Sequence, residues 1–201
     1  MNRHLSLILM PALCLITVPA VGEDYVALGG GASFWNQTHN SDELEGGSEP
    51  GYLVSLALGR EYENAYRAEI ELSFRQNNVH GINDPDNRKK SSGDGNILQG
   101  TALFVNVAYD FRAGKSIRPY IMAGPGVIYL KVSDDDDPEI PLNDSATTYA
   151  FQIGFGARFN VTDEVKGDIG IGQMMTATTD LQDLHTNYDT TTITAAVIMT
   201  F

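Results

Sequence analysis

The chain has 201 residues, long enough for one domain with a full core and short for two. Its formal charge is -13, which argues against a nucleic-acid binder, since such a protein presents Lys and Arg to phosphates. The same acidity disfavours docking onto an anionic lipid surface but says nothing against a protein embedded in lipid.

Residues 1–22 read as a secretory signal. Arg3 and His4 form a short basic start, Leu5 to Val18 an apolar stretch, and Val18, Ala20 and Gly22 offer small or tolerated residues around a cut after Ala20 or Gly22. The apolar stretch falls short of the roughly 20 residues that span a bilayer, and Pro11 interrupts it. The only cysteine, Cys14, lies in this segment, so a chain cut there has no disulfide, zinc-finger or thiol chemistry. Residues 23–201 are then a single domain that finds its stability without cross-links.

Period-two alternation runs through that domain. Weak versions at Tyr25 to Asn36 and Tyr52 to Tyr62 are followed by the clearest one, Tyr66 to Arg75. There Tyr66, Ala68, Ile70, Leu72 and Phe74 share one face and Arg67, Glu69, Glu71, Ser73 and Arg75 the other. Leu98 to Phe111 and Ile117 to Val132 are again weak. Thr147 to Val161 alternates strongly, Val165 to Met175 less so, and Thr191 to Phe201 sets Ile193, Ala195, Val197, Met199 and Phe201 against Thr192, Thr194, Ala196 and Thr200. This makes about eight strands, each near the ten or so residues that cross a bilayer at a tilt. The connections alternate between short (61–65, 112–116, 160–164) and long and polar (37–50, 77–96, 133–145, 177–189), the rhythm of an up-and-down barrel.

A soluble barrel with reversed faces has the same alternation. Glycines 29, 31, 154 and 156 gain nothing on a solvent face but make room for large neighbours inside a small barrel. The aromatics also sort by height. Tyr62, Tyr66, Tyr109, Phe111, Tyr120, Phe159 and Phe201 are expected as an outer ring near the short turns, with Phe34, Phe74, Tyr149 and Phe151 as the opposite ring. An apolar outer face puts Arg67, Glu69, Glu71, Arg75, Arg158, Lys166 and Asp168 in the lumen as a charge network, because one Lys or Arg facing lipid at the midplane costs about 2–4 kcal/mol. Trp35, Phe104 and Tyr129 are expected to crowd the same interior.

Three stretches, YRAEIELSF (66–74), RPYIMAGPGVIY (118–129) and YAFQIGFGARF (149–159), together with the terminal VIMTF, make the chain resemble the outer-membrane β-barrel family that includes OmpA-type transmembrane domains and opacity-type surface antigens. The resemblance implies an all-β, eight-stranded antiparallel transmembrane barrel in the bacterial outer membrane. It also implies outer-membrane lipid as surroundings, short turns on the periplasmic side, and Phe201 as a C-terminal aromatic read by the barrel assembly machinery. Pro125 departs from the pattern: it lacks a ladder donor, and a local bulge is expected there.

Candidate chemistry is sparse. His39, His80 and His185 are scattered over loops without metal-ligand spacing, and Asp134 to Asp137 lack the glycine of a calcium loop. His185, Thr186 and Asn187 have no serine placed beside them, so no lipid-cutting triad is expected. No catalytic residue, cofactor or metal follows. The expected function is structural, or adhesion and binding through the long loops above a plugged lumen, with a narrow porin for small solutes as the alternative.

Overall fold

The structure, a computed structural model, describes residues 22–36, 50–63, 65–79, 96–111, 116–134, 143–181 and 184–201. Eight strands close into an antiparallel barrel: β1 (Gly22–Asn36), β2 (Gly51–Tyr62), β3 (Tyr66–Val79), β4 (Asn96–Asp110), β5 (Ile117–Asp134), β6 (Asn143–Asn160), β7 (Val165–Thr176) and, after a small hairpin of β8 (Thr179–Leu181) and β9 (Leu184–Thr186), β10 (Asp189–Thr200). Chain neighbours pair throughout, and β10 returns to β1 from Tyr25↔Thr200 to Asn36↔Asp189. Closure removes the edges of the barrel sheet, so each of its eight strands has a partner on both sides without water to satisfy its backbone.

The pleat explains the two faces. Ile70 on β3 and Val197 on β10 are each 56% exposed, while Arg67 and Arg75, alternate in phase with Ile70, are 2% exposed. A belt of apolar side chains circling the molecule and a polar interior match a lipid surround. Outward ring pairs mark the short-turn rim, where the Tyr66 and Tyr109 centroids are 5.1 Å apart and Tyr109 meets Phe111 at 5.4 Å. At the opposite rim Tyr52 and Phe74 lie 6.1 Å apart.

β1 begins at Gly22, paired with Tyr62, one residue before the expected domain start; residues 1–21 lie outside the described residues. Three other expectations are corrected. Tyr120 faces the lumen at 9% exposure, and Tyr129 faces outward at 47%. The sequence around them is apolar on both faces, with Val127 and Tyr129 against Ile128 and Leu130, so alternation alone does not choose the parity of β5; Arg118, buried at 5%, does.

Pro125 creates no bulge. The β4·β5 register before and after it is the same, Phe104↔Gly126 and then Val107↔Ala123, and the β5·β6 ladder is continuous through Pro125↔Phe151. Pairing is interrupted only opposite Val105 and Asn106. The Phe111 amide bonds to the Pro119 carbonyl, so odd residues of β5 direct their backbone groups at β4. The donor missing at Pro125 is therefore one owed to Val105.

Candidate functional site: the lumen and its loop-side cover

The interior is layered. Nearest the short turns, Glu61 on β2 accepts from Arg118 of β5 and from Lys166 Nζ of β7 at 3.0 Å, and Lys166 also reaches Glu23 at 3.1 Å. Arg67 Nε donates to Asp110 at 3.0 Å, and Arg158 Nε to Asp168 at 3.4 Å. Two tyrosines bind this layer together. The Tyr120 hydroxyl donates to Asp168 at 2.7 Å while its ring lies 4.7 Å beneath the Arg67 guanidinium. The Tyr25 hydroxyl donates to Glu69 at 2.5 Å, with Arg158 4.9 Å from its ring. Each cation thus meets a carboxylate and, for Arg67 and Arg158, an aromatic face, the compensation that buried charge requires.

Glycine makes those rings fit. An added Cβ at Gly156 would sit 2.6 Å from Tyr120 Cζ, and one at Gly59 would run into the Tyr25 ring. The middle layer is amide and carboxylate: Asn106 donates to Glu69 at 3.1 Å and to Glu71 at 2.9 Å, and Gln152 donates to Glu71 at 2.9 Å.

The long-loop end is different. Leu98, Phe104, Ile128, Leu130 and Met174 form an apolar cluster with Tyr188, which directly precedes β10 and continues its inward row. Its hydroxyl donates to Asn77 at 2.8 Å, its amide to Thr176 Oγ1 at 2.7 Å, and its ring lies 6.4 Å from that of Trp35. Burial pushes the Tyr188 phenol well above its ordinary range, so it remains a donor at any ordinary pH. Beneath it Arg75 donates to Thr190 at 2.9 Å, to Ser73 at 3.2 Å and to Met174 Sδ at 3.0 Å.

All seven charged residues singled out from sequence point inward, at three levels of the lumen, with Asn106 linking Glu69 to Glu71. Arg67, Glu69, Arg158, Lys166 and Asp168 belong to the lower layer, Glu71 to the middle and Arg75 to the upper end. Sequence reading missed Glu61, which it assigned to a turn, and Tyr25, Asp110, Arg118 and Tyr188. The charge of Arg118 at the short-turn end of β5, followed by twelve uncharged residues, was the available signal; for Tyr188, in a polar loop, there was none. His39, His80 and Asp135 to Asp137 lie outside the described residues, and among the described residues no group of metal-binding side chains gathers. The long connection 177–189 proves to hold the β8·β9 hairpin.

Residues 5–201 match the family described as outer membrane protein beta-barrel domain. The chain is 25% identical over 190 residues to the outer membrane protein PagN of Salmonella typhimurium, an alignment covering 80% of this chain and 78% of that protein. In fold it is similar to Neisserial surface protein A, with TM-score 0.55 and 13% identity, covering 89% of this chain and 97% of the other. A major outer membrane protein of Thermus thermophilus aligns with TM-score 0.51 and 12% identity over 89% of this chain and 99% of its own. A closed eight-stranded barrel with a lipid-suited exterior, matched by this family along nearly its whole length, belongs to the outer membrane protein β-barrel domain family and resides in the bacterial outer membrane.

Proposed function

We propose that this barrel is a surface-exposed binding or structural protein whose contacts are made by the connections 37–50, 77–96, 133–145 and 177–189. The observation that carries the reading is the closed interior. Ion pairs cross the lumen at the short-turn end through Glu61, Arg118 and Lys166, and Tyr188 fills the apolar cluster at the other. A wall so occupied supports a stand for loops better than a pore. Loops held on a rigid sheet are the usual place for recognition, and their shapes, not the barrel, decide the ligand, whether extracellular or on a host. The reading includes no catalytic step and no cofactor.

A cavity of about 110 Å³ within the lumen favours a second reading, a narrow porin for small solutes. Conductance of the purified, folded protein in planar bilayers separates the two: silence supports the binding protein, and stable single-channel steps support the porin. Exchange of loop 133–145 for a short glycine-containing turn is expected to reduce attachment of expressing cells to a surface without lowering the amount of folded barrel; unchanged attachment with every long loop exchanged would remove the binding reading.

Phe201 is read as the assembly signal. It is 79% exposed, continues the outward row of β10, and its amide donates to the Asp24 carbonyl at 2.9 Å, so its ring stands free at the rim where the barrel assembly machinery would take hold.

A further inference from the structure

The outward face of the wall carries little charge in its short-turn half. Among the described residues of the barrel strands, Asp24 and Arg60 are the charged side chains on that side, each 42% exposed. They form a fork, with Arg60 Nε donating to Asp24 Oδ1 at 2.6 Å and Nη2 to Oδ2 at 2.7 Å. The pair lies on the membrane side of the outward tyrosines. Tyr62 and Tyr66 stand two residues nearer the turn than Arg60 and its cross-strand partner Ala68, or about 7 Å along each strand. The Arg60 stem leans back toward that row: a Cβ on Gly22, which pairs with Tyr62, would lie 3.0 Å from Arg60 Cγ and 3.2 Å from Cδ. A cation that snorkels in this way seeks the headgroup level of a bilayer.

Beside the pair the wall is hollow. Ala68 is the small residue of an outward groove of about 430 Å³ that Leu58, Ile70 and Val105 also line, with Phe201 at its edge. That volume lies within the roughly 300–1,000 Å³ usual for ligand sites. The apolar residues are on the midplane side and the ion pair on the rim side, the order of an acyl chain and its headgroup. The pair also matches one headgroup chemistry. Arg60 Nη1 has no acceptor among the described residues and is open to a phosphate, while the exposed Asp24 carboxylate keeps lone pairs for an ammonium. A lone cation favours any anionic lipid, whereas a cation with a carboxylate beside it favours a headgroup of both signs.

We propose that this groove seats one phospholipid of the leaflet on the short-turn side, its phosphate on Arg60, its primary ammonium on Asp24 and an acyl chain over Ala68. The site is remote from the long connections, so its fate does not bear on the binding reading. Native mass spectrometry of the folded full chain, released from detergent, is run with equal amounts of phosphatidylethanolamine, phosphatidylcholine and phosphatidylglycerol of matched acyl chains. Heat-modifiable migration checks that each variant is folded. One phosphatidylethanolamine is expected to be retained, about threefold over either competitor, a ratio in keeping with the worth of one exposed ion pair. The choline headgroup has no N–H to donate, and the glycerol headgroup has no cation. Asp24→Ala is expected to turn the preference to phosphatidylglycerol, and Arg60→Gln to lower retention of phosphatidylethanolamine. Ala68→Leu, which fills the groove and keeps the pair, should lower retention of all three lipids without reordering them. Equal retention of the three by the wild type, a wild-type preference for phosphatidylglycerol, an order that survives Asp24→Ala, or retention untouched by Arg60→Gln or Ala68→Leu overturns the proposal. So does a dimer that dissociates in Ala68→Leu, which would give the groove to a second copy of the chain.

Discussion

The hydroxyl of Tyr120 on β5 donates to Asp168 on β7 at 2.7 Å, passing over the intervening strand β6 at Gly156, which pairs with Tyr120 on one side and Gly170 on the other. A side chain bridges two strands that never touch because the one between them has no side chain at that level. Gly156→Leu is expected to destabilise the barrel by about 1–3 kcal/mol, the usual cost of overpacking, by displacing the ring and stripping Asp168 of a donor. Urea titration in lipid vesicles measures it; an unchanged midpoint would show that the bridge contributes nothing.

Charge on the two faces of the wall should differ in consequence. Glu61 faces inward and compensates both Arg118 and Lys166, whose side chains are 6% and 8% exposed. Glu61→Gln leaves two buried cations short of a partner and is expected to cost several kcal/mol, near the low end of the about 3–5 kcal/mol seen when buried pairs are broken, because the site lies at a rim. Asp24 and Arg60, an outward pair with both side chains 42% exposed, serve as the control. Asp24→Asn should leave the same midpoint within error.

The interrupted ladder at Pro125 predicts a gain of stability. Pro125→Val supplies the absent N–H opposite Val105 on a lipid-facing position and is expected to raise stability by about 0.5–1.5 kcal/mol. Amide exchange at Val105 should slow with it. Unaltered exchange there would mean that the strand separation has another cause.

Deleting Phe201, or replacing it with Asp, is expected to lower the amount of heat-modifiable protein in outer-membrane fractions far more than Thr200→Ser. The Thr200 hydroxyl, which serine keeps, donates only a long bond of 3.4 Å to the Glu164 carbonyl. A charge at the interfacial rim costs a folded barrel only about 0–1 kcal/mol, so a large defect points to recognition during insertion. Wild-type levels for the Phe201 variants would dismiss the assembly role.

Protease added to intact cells is expected to cut within 77–96 or 133–145, leaving the short turns intact, as long polar connections on the outer side should be. A label attached at Gly114 and detected on the cell surface would invert the topology.

The sequence alone determined the strand count, the alternation of short and long connections, and the inward face of β3, β6 and β10. On those strands one row is charged, glycine-containing or rich in threonine and the other apolar, and lipid favours the apolar one. Parity on β5 was settled by the tertiary structure, since both of its rows near Ile128 and Tyr129 are apolar and registration against β4 and β6 turns the row of Arg118 inward. Partners across the lumen were likewise invisible: Tyr25 and Glu69 are 44 residues apart and Tyr188 and Asn77 are 111. Such pairs arise from the curvature of a closed sheet, which turns the inward side chains of non-adjacent strands toward a common axis, and a one-dimensional pattern carries the direction of each side chain but not what it meets there.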